Sequence, residues 1–73
     1  MTDRPLASLR AWVRDGLLHV AGLAEGETVS VYNAAGAAVY RGVATGEEAD
    51  ISVGAQGVYI VRSGNRTVKV TVL

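Results

Sequence analysis

The chain has no cysteine, a single histidine, and seven acidic side chains against seven lysines and arginines, for a formal charge of zero. Each shortage removes a class of protein. Without thiols there is neither a disulfide framework to staple a small domain nor a thiolate metal site. With one imidazole, His19, a metal would have to draw every other ligand from Asp and Glu, and a Ser-His-acid triad would hang on that residue alone. Balanced charge removes the electrostatic footprint of a nucleic-acid or anionic-membrane partner, so no nucleic acid is expected. No run approaches the roughly 20 apolar residues that cross a bilayer, so no membrane span is expected, and Met1-Thr2-Asp3-Arg4-Pro5 lacks the apolar stretch of a signal peptide.

At 73 residues the chain is expected to be one small domain or a fragment of a longer protein, with a radius of gyration of roughly 11 Å. Such a chain hides only about 60% of the surface its unfolded state exposes, so the core must be thin and sheet pairing must supply much of the order.

Turn chemistry cuts the sequence at Asp15-Gly16, Ala24-Glu25-Gly26, Asn33 to Gly36, Gly46, Gly54 to Gly57 and Gly64-Asn65. The spacing of roughly 8 to 12 residues is that of an all-β sandwich or barrel. Seven strands are expected, over residues 8–14, 17–23, 28–32, 37–43, 49–53, 58–62 and 67–72, with residues 1–7 as a flexible N-terminal segment before a β-sandwich domain over residues 8–73. Asp15-Gly16 predicts a two-residue hairpin loop of the type I′ class, because both positions must take positive φ. Seven short strands close a thin core by stacking two sheets about 10 Å apart, which gives a small immunoglobulin-like antiparallel β-sandwich.

Alternation assigns the faces. In the first hairpin Leu9, Ala11 and Val13 alternate with Arg10, Trp12 and Arg14, which puts Trp12 on the arginine face and His19 outward from its strand. In the last strand Val68, Val70 and Val72 share one face, and Thr67, Lys69 and Thr71 the other. The expected core is Leu9, Ala11, Val13, Leu18, Val20, Val29, Val31, Val39, Ile51, Val53, Tyr59, Val61, Val68 and Val70. Residues 37–43 and 58–62 read apolar on both faces, as a central strand covered on both sides would. Gly57-x-Tyr59 at a strand entry fits a tyrosine corner, whose buried ring leaves its hydroxyl to bond backbone a few residues upstream.

The residues that could carry chemistry are few. Glu47-Glu48-x-Asp50 is an acidic cluster without the ligand ladder of a calcium loop, so no metal site is assigned. The glycines lack the phosphate-cradling spacing, and Ser8, Ser30, Ser52 and Ser63 sit outside any nucleophile-elbow context. Asn65-Arg66-Thr67 is formally a glycosylation sequon in a turn that already explains its asparagine. No cofactor and no enzyme activity are expected. Trp12 between Arg10 and Arg14 is the candidate binding surface, because an exposed indole can stack on a sugar or a partner side chain while cations pack over its face.

Several segments together carry a resemblance: the apolar strand and polar turn over residues 18–27, then Val29-x-Val31-Tyr32-Asn33-x-x-Gly36, Ile51-x-Val53, Gly57-Val58-Tyr59-Ile60-Val61 and the closing Lys69-Val70-x-Val72. Over residues 17–73 the sequence resembles the C-terminal sorting domain of the type IX (Por) secretion system of Bacteroidetes, departing from it at Ala37, where a polar residue is usual, and in the short loop before Gly57. The resemblance implies a non-catalytic domain at the C-terminus of a larger exported protein, secreted or held at the cell surface by way of the periplasm. Its signal peptide would precede this segment, and its partner would be the secretion machinery of the outer membrane. Gly57, Tyr59, Lys69, Val70 and Val72 are then the candidate recognition residues. The alternative expectation is an accessory β-sandwich domain of a surface protein that binds carbohydrate or protein through Trp12 or a sheet edge.

Overall fold

The computed structural model describes residues 9–73, and the expected flexible segment 1–7, with Ser8, lies outside them. Seven strands follow one another: β1 Arg10–Arg14, β2 Leu17–Ala21, β3 Thr28–Asn33, β4 Ala38–Val43, β5 Glu48–Ile51, β6 Gly57–Ser63 and β7 Arg66–Val72. They form two antiparallel sheets, one ordered β1-β2-β5 and the other β4-β3-β6-β7. Leu18, Val20 and Ile51 from the first sheet and Val29, Val31, Tyr59, Val61, Val70 and Val72 from the second bury into one cluster, so the two sheets are the halves of a sandwich. A fully buried Val, Leu or Ile contributes about 1.5–3 kcal/mol, so this single cluster dominates the favourable side of folding. β1 lies along β7 and closes one flank.

The topology is a variant of the immunoglobulin type. In the constant-type arrangement the fourth strand pairs the fifth; here β4 pairs β3 instead. The short Asn33–Gly36 turn gives the cause. Asn33 Oδ1 accepts the N–H groups of Ala35 and Ala37, each at 3.0 Å, and this Asx-type clasp folds β4 straight back onto β3 as a hairpin.

Two further turns follow their residue chemistry. Asp15 and Gly16 have φ of 56° and 76°, the type I′ signature that the Asp-Gly pair predicts. At the β6–β7 hairpin only Gly64 is left-handed, with φ 61°. A single positive φ at the first central residue is the type II′ pattern, so Asn65 is not there to supply one. A Cβ at Gly64 would also stand 2.5 Å from Glu27 Oε2, so this glycine answers to both backbone and space.

The sandwich is stapled at the end where chain crosses between sheets. Leu23 N–H bonds the Glu47 carbonyl at 3.0 Å, Gly26 N–H the Ala44 carbonyl at 2.8 Å, and Ala44 N–H the Glu27 carbonyl at 2.8 Å. These bonds tie the β2–β3 loop to the β4–β5 loop and bury Leu23 and Ala44. Beside them Glu27 Oε1 accepts Ser63 Oγ at 2.7 Å and Arg66 Nη2 at 3.0 Å, while Arg66 Nη1 donates to the Gly22 carbonyl at 2.6 Å. The Ser63 hydroxyl first, and then Arg66, hold the Glu27 carboxyl below the usual glutamate range.

Several expectations are corrected. Val39 is not core: it is 41% exposed. Val31 faces Tyr40 and Tyr32 faces Ala38, so Val39 is the extra residue of a β-bulge in an edge strand, which breaks the alternation that placed it inside. β4 is an edge strand and β6 is covered on one face, so the two-sided apolar pattern does not mark a strand covered on both sides. Val58 and Tyr40 are exposed and Ile60 half-buried. β2 ends at Ala21 and β5 spans Glu48–Ile51, both displaced from the expected limits because the crossing loops begin earlier. Ala21, Leu23, Ala44 and Val72 join the buried set.

Candidate functional site

Tyr59 is the third residue of β6, the position from which its ring reaches inward beside Val61 and Val70. The ring is 4% exposed, and its hydroxyl donates to the Ala55 carbonyl at 2.8 Å, four residues upstream. This is the tyrosine corner, and it fixes the loop that enters β6.

The five candidate recognition residues separate into two groups. Val70 and Val72 are buried with Tyr59, and Gly57, opposite Val72 at the start of β6, is half-buried. Lys69 alone presents a side chain to solvent. It lies on the outer face of the four-stranded sheet, opposite Ile60 in register, and its strand neighbours on that face, Thr67 and Thr71, are exposed as well.

The candidate binding surface is on the other sheet. Arg10, Trp12 and Arg14 are all exposed on the outer face of β1, while Ala11 and Val13 pack against the core. Register places Trp12 beside His19 and His19 beside Asp50. The indole stacks on the imidazole at 5.8 Å between centroids and 14° between planes. His19 Nδ1 lies 2.6 Å from Asp50 Oδ1, and its Nε2 lies 3.3 Å from the Arg14 carbonyl. Both ring nitrogens therefore meet oxygen acceptors, so the imidazolium donates at both ends and the neutral ring at one. The ring packed on Trp12 is thus the imidazole of His19, held by Asp50; Arg10 and Arg14 flank Trp12 along the strand.

The acidic cluster of residues 47–50 does not converge. Asp50 turns to His19, Glu48 stands opposite Ala21 in register, and Glu47 contributes its backbone carbonyl to the loop staple. Among the described residues no three of His, Asp and Glu come together as metal ligands. No described helix is long and apolar enough to cross a membrane. Sequence reasoning missed Arg41 and Arg62, which lie in different hairpins and meet on one face only through the pairing of both β4 and β6 with β3.

The fold and these surfaces define a class, a small all-β sandwich that offers side chains from two outer sheet faces. Comparison with known proteins found no matching family model, no matching curated protein and no matching solved structure.

Proposed function

We propose that this domain is a non-catalytic recognition module that serves as the C-terminal sorting domain of an exported bacterial protein, read by the type IX secretion machinery through the outer face of its β6–β7 hairpin. The observation that carries the reading is the division of labour along β7: Val70 and Val72 anchor in the core while Lys69 stays exposed between Thr67 and Thr71. A partner can therefore read the hairpin while the domain stays folded. The motifs over residues 17–73 support the same reading by resemblance. A non-catalytic role is supported by His19, whose two nitrogens are engaged by Asp50 and a backbone carbonyl beneath an indole, with no hydroxyl nucleophile among its hydrogen-bond partners.

The test is fusion of the whole chain to a periplasmic reporter in a Bacteroidetes host with an active type IX system. The reporter should reach the cell surface. Lys69→Ala should reduce surface display while shifting stability by no more than about 0.5 kcal/mol, as expected of an exposed position. A folded fusion that stays in the periplasm, or full display by Lys69→Ala, refutes the reading.

A second reading is favoured by Trp12, which keeps 39% exposure on its seat over His19. On this reading the domain is an accessory module of a surface protein, and the indole stacks on a carbohydrate or a protein side chain. As the single tryptophan of the chain, Trp12 reports directly: its emission should change with ligand, and Trp12→Ala should abolish binding without unfolding the domain.

A further inference from the structure

The outer face of the four-stranded sheet has a shallow concavity of about 500 Å³, lined by Thr28, Ser30, Tyr32, Arg41, Arg62 and Gly64. Its geometry follows from register. Arg41 on β4 and Arg62 on β6 both pair Ser30 on the strand between them, so two guanidinium-bearing residues flank one hydroxyl on one face. With strands about 4.8 Å apart, their backbones lie roughly 10 Å from each other, and long side chains on both can close on a shared ligand group. Tyr32 stands next along β3 on the same face, and the Ser30 hydroxyl and then Arg41 hold its phenol below the usual tyrosine range.

The lining is one-sided in its chemistry. The concavity carries three hydroxyls and two guanidinium groups, with the buried Ser30 hydroxyl directed to the Tyr32 phenol, and no carboxylate lines it. Among the described residues the carboxylates that meet a basic side chain are Asp50, against the His19 ring, and Glu27, against Arg66, so neither Arg41 nor Arg62 has an acidic partner. Glu27 comes near Gly64 at the rim, but its charge is matched by Arg66 and Ser63. The chain as a whole is neutral, yet Glu47, Glu48 and Asp50 gather on and beside β5, the edge of the opposite sheet, and leave this face cationic. Placing like charges on one sheet face is unfavourable for folding alone. A bound anion would relieve it.

We propose that Arg41, Ser30, Arg62 and Tyr32 form a site for the oxyanion groups of an acidic polysaccharide. The planar fork of arginine matches a carboxylate or a sulfate with two parallel hydrogen bonds, and hydroxyls complete the contact with an oxygen-rich chain. A polysaccharide fits better than a peptide strand. The site lies mid-sheet over β3, where backbone donors and acceptors are already spent in the β4 and β6 ladders, so strand addition has nothing to pair with. The concavity is open, which suits a chain laid across it. The site does not rest on the export reading, although Arg62 belongs to the same outer face of β6 that reading uses, and it is separate from Trp12, which is on the other sheet.

The test is titration of the folded chain with dextran sulfate, polygalacturonate and neutral dextran, followed by backbone amide shifts. Dextran sulfate, polygalacturonate or both should perturb Ser30, Tyr32, Arg41 and Arg62, more weakly as salt rises, and the two arms separate sulfate from carboxylate. Neutral dextran should do nothing. Arg41→Gln and Arg62→Gln, both exposed changes that leave the core intact, should each weaken binding roughly tenfold or more. Ligand should also move the Tyr32 phenol up towards its ordinary range, seen by ultraviolet titration and absent in Tyr32→Phe, which no purely structural role of the arginines would produce. Binding by neither polyanion, perturbations centred on Arg10 and Arg14, or undiminished affinity in the double variant overturns the proposal.

Discussion

Replacing Tyr59 by Phe removes one oxygen and leaves the ring where it is, so it isolates the hydroxyl's bond to the Ala55 carbonyl. The ring is 4% exposed and packs in the shared cluster, and none of that packing changes. A net intramolecular hydrogen bond contributes about 0.5–1.5 kcal/mol, and an acceptor stranded away from water costs about 1–3 kcal/mol more. Ala55 is an exposed loop residue, so water can reach its carbonyl and the second term is small. The expected loss is therefore about 1 kcal/mol. In a domain of this size that lowers Tm by roughly 4–8 °C, and with a urea m-value near 1 kcal/mol/M it lowers the midpoint by about 1 M. Urea unfolding followed by Trp12 emission and far-ultraviolet circular dichroism measures it, and coincident curves show that both probes see one transition. An unchanged midpoint would mean that the hydroxyl does not hold the loop. A loss as large as that of Tyr59→Ala, about 3–5 kcal/mol, would mean that the ring had moved and that the reasoning from a single bond is wrong.

Gly64→Ala and Gly16→Ala differ in two respects: an L side chain at Gly16 meets only the left-handed backbone of a type I′ turn, at about 1–2 kcal/mol, whereas at Gly64 it meets the glycine position of a type II′ turn and also Glu27. Gly64→Ala should therefore give the lower urea midpoint, and equal midpoints would refute the contact. Glu27 ionises below the ordinary glutamate pKa in the folded state, so its stabilising share is present above about pH 4.3 and is lost as pH falls through the depressed folded value. Glu27→Gln should flatten that acid limb of a stability–pH profile, and an unaltered limb would assign it to other carboxylates. Val39→Lys, at the exposed bulge, should stay within about 0.5 kcal/mol in urea unfolding, whereas Val70→Asp drives an unpaired carboxylate into the core and should leave no cooperative transition.

Local chemistry was legible where one short segment decides the outcome. Asp15-Gly16 fixed its own turn, Gly57-x-Tyr59 its own corner, and strict alternation put Trp12 outward and Val70 inward. Alternation failed at β4, where a single extra residue shifts which side chain faces which, and nothing in Ala38-Val39-Tyr40 marks the bulge. It was also blind to Leu23 and Ala44, which are buried by loops hydrogen-bonded to each other and have no strand period to follow. The surface pairings were hidden for another reason. His19 meets Asp50, and Arg41 joins Arg62, across strands that the topology brings together. The identity of each residue was plain, but its neighbour depended on the sheet order.

The bulge at Val39 also bears on how this domain keeps company with itself. A flat outer strand carrying Val39, Tyr40 and Val43 would be an open template for another chain's backbone, the first step towards stacked aggregates. One surplus residue interrupts that template by twisting the strand and putting its free hydrogen-bonding groups out of step. The edge strand of the other sheet on this open flank, β5, is guarded differently, by being four residues long and carrying Glu48 and Asp50. The two edge strands away from the β1–β7 flank thus each have their own defence against polymerisation. Deleting Val39 would restore an even ladder and turn a self-limiting particle into one that can add copies along its side.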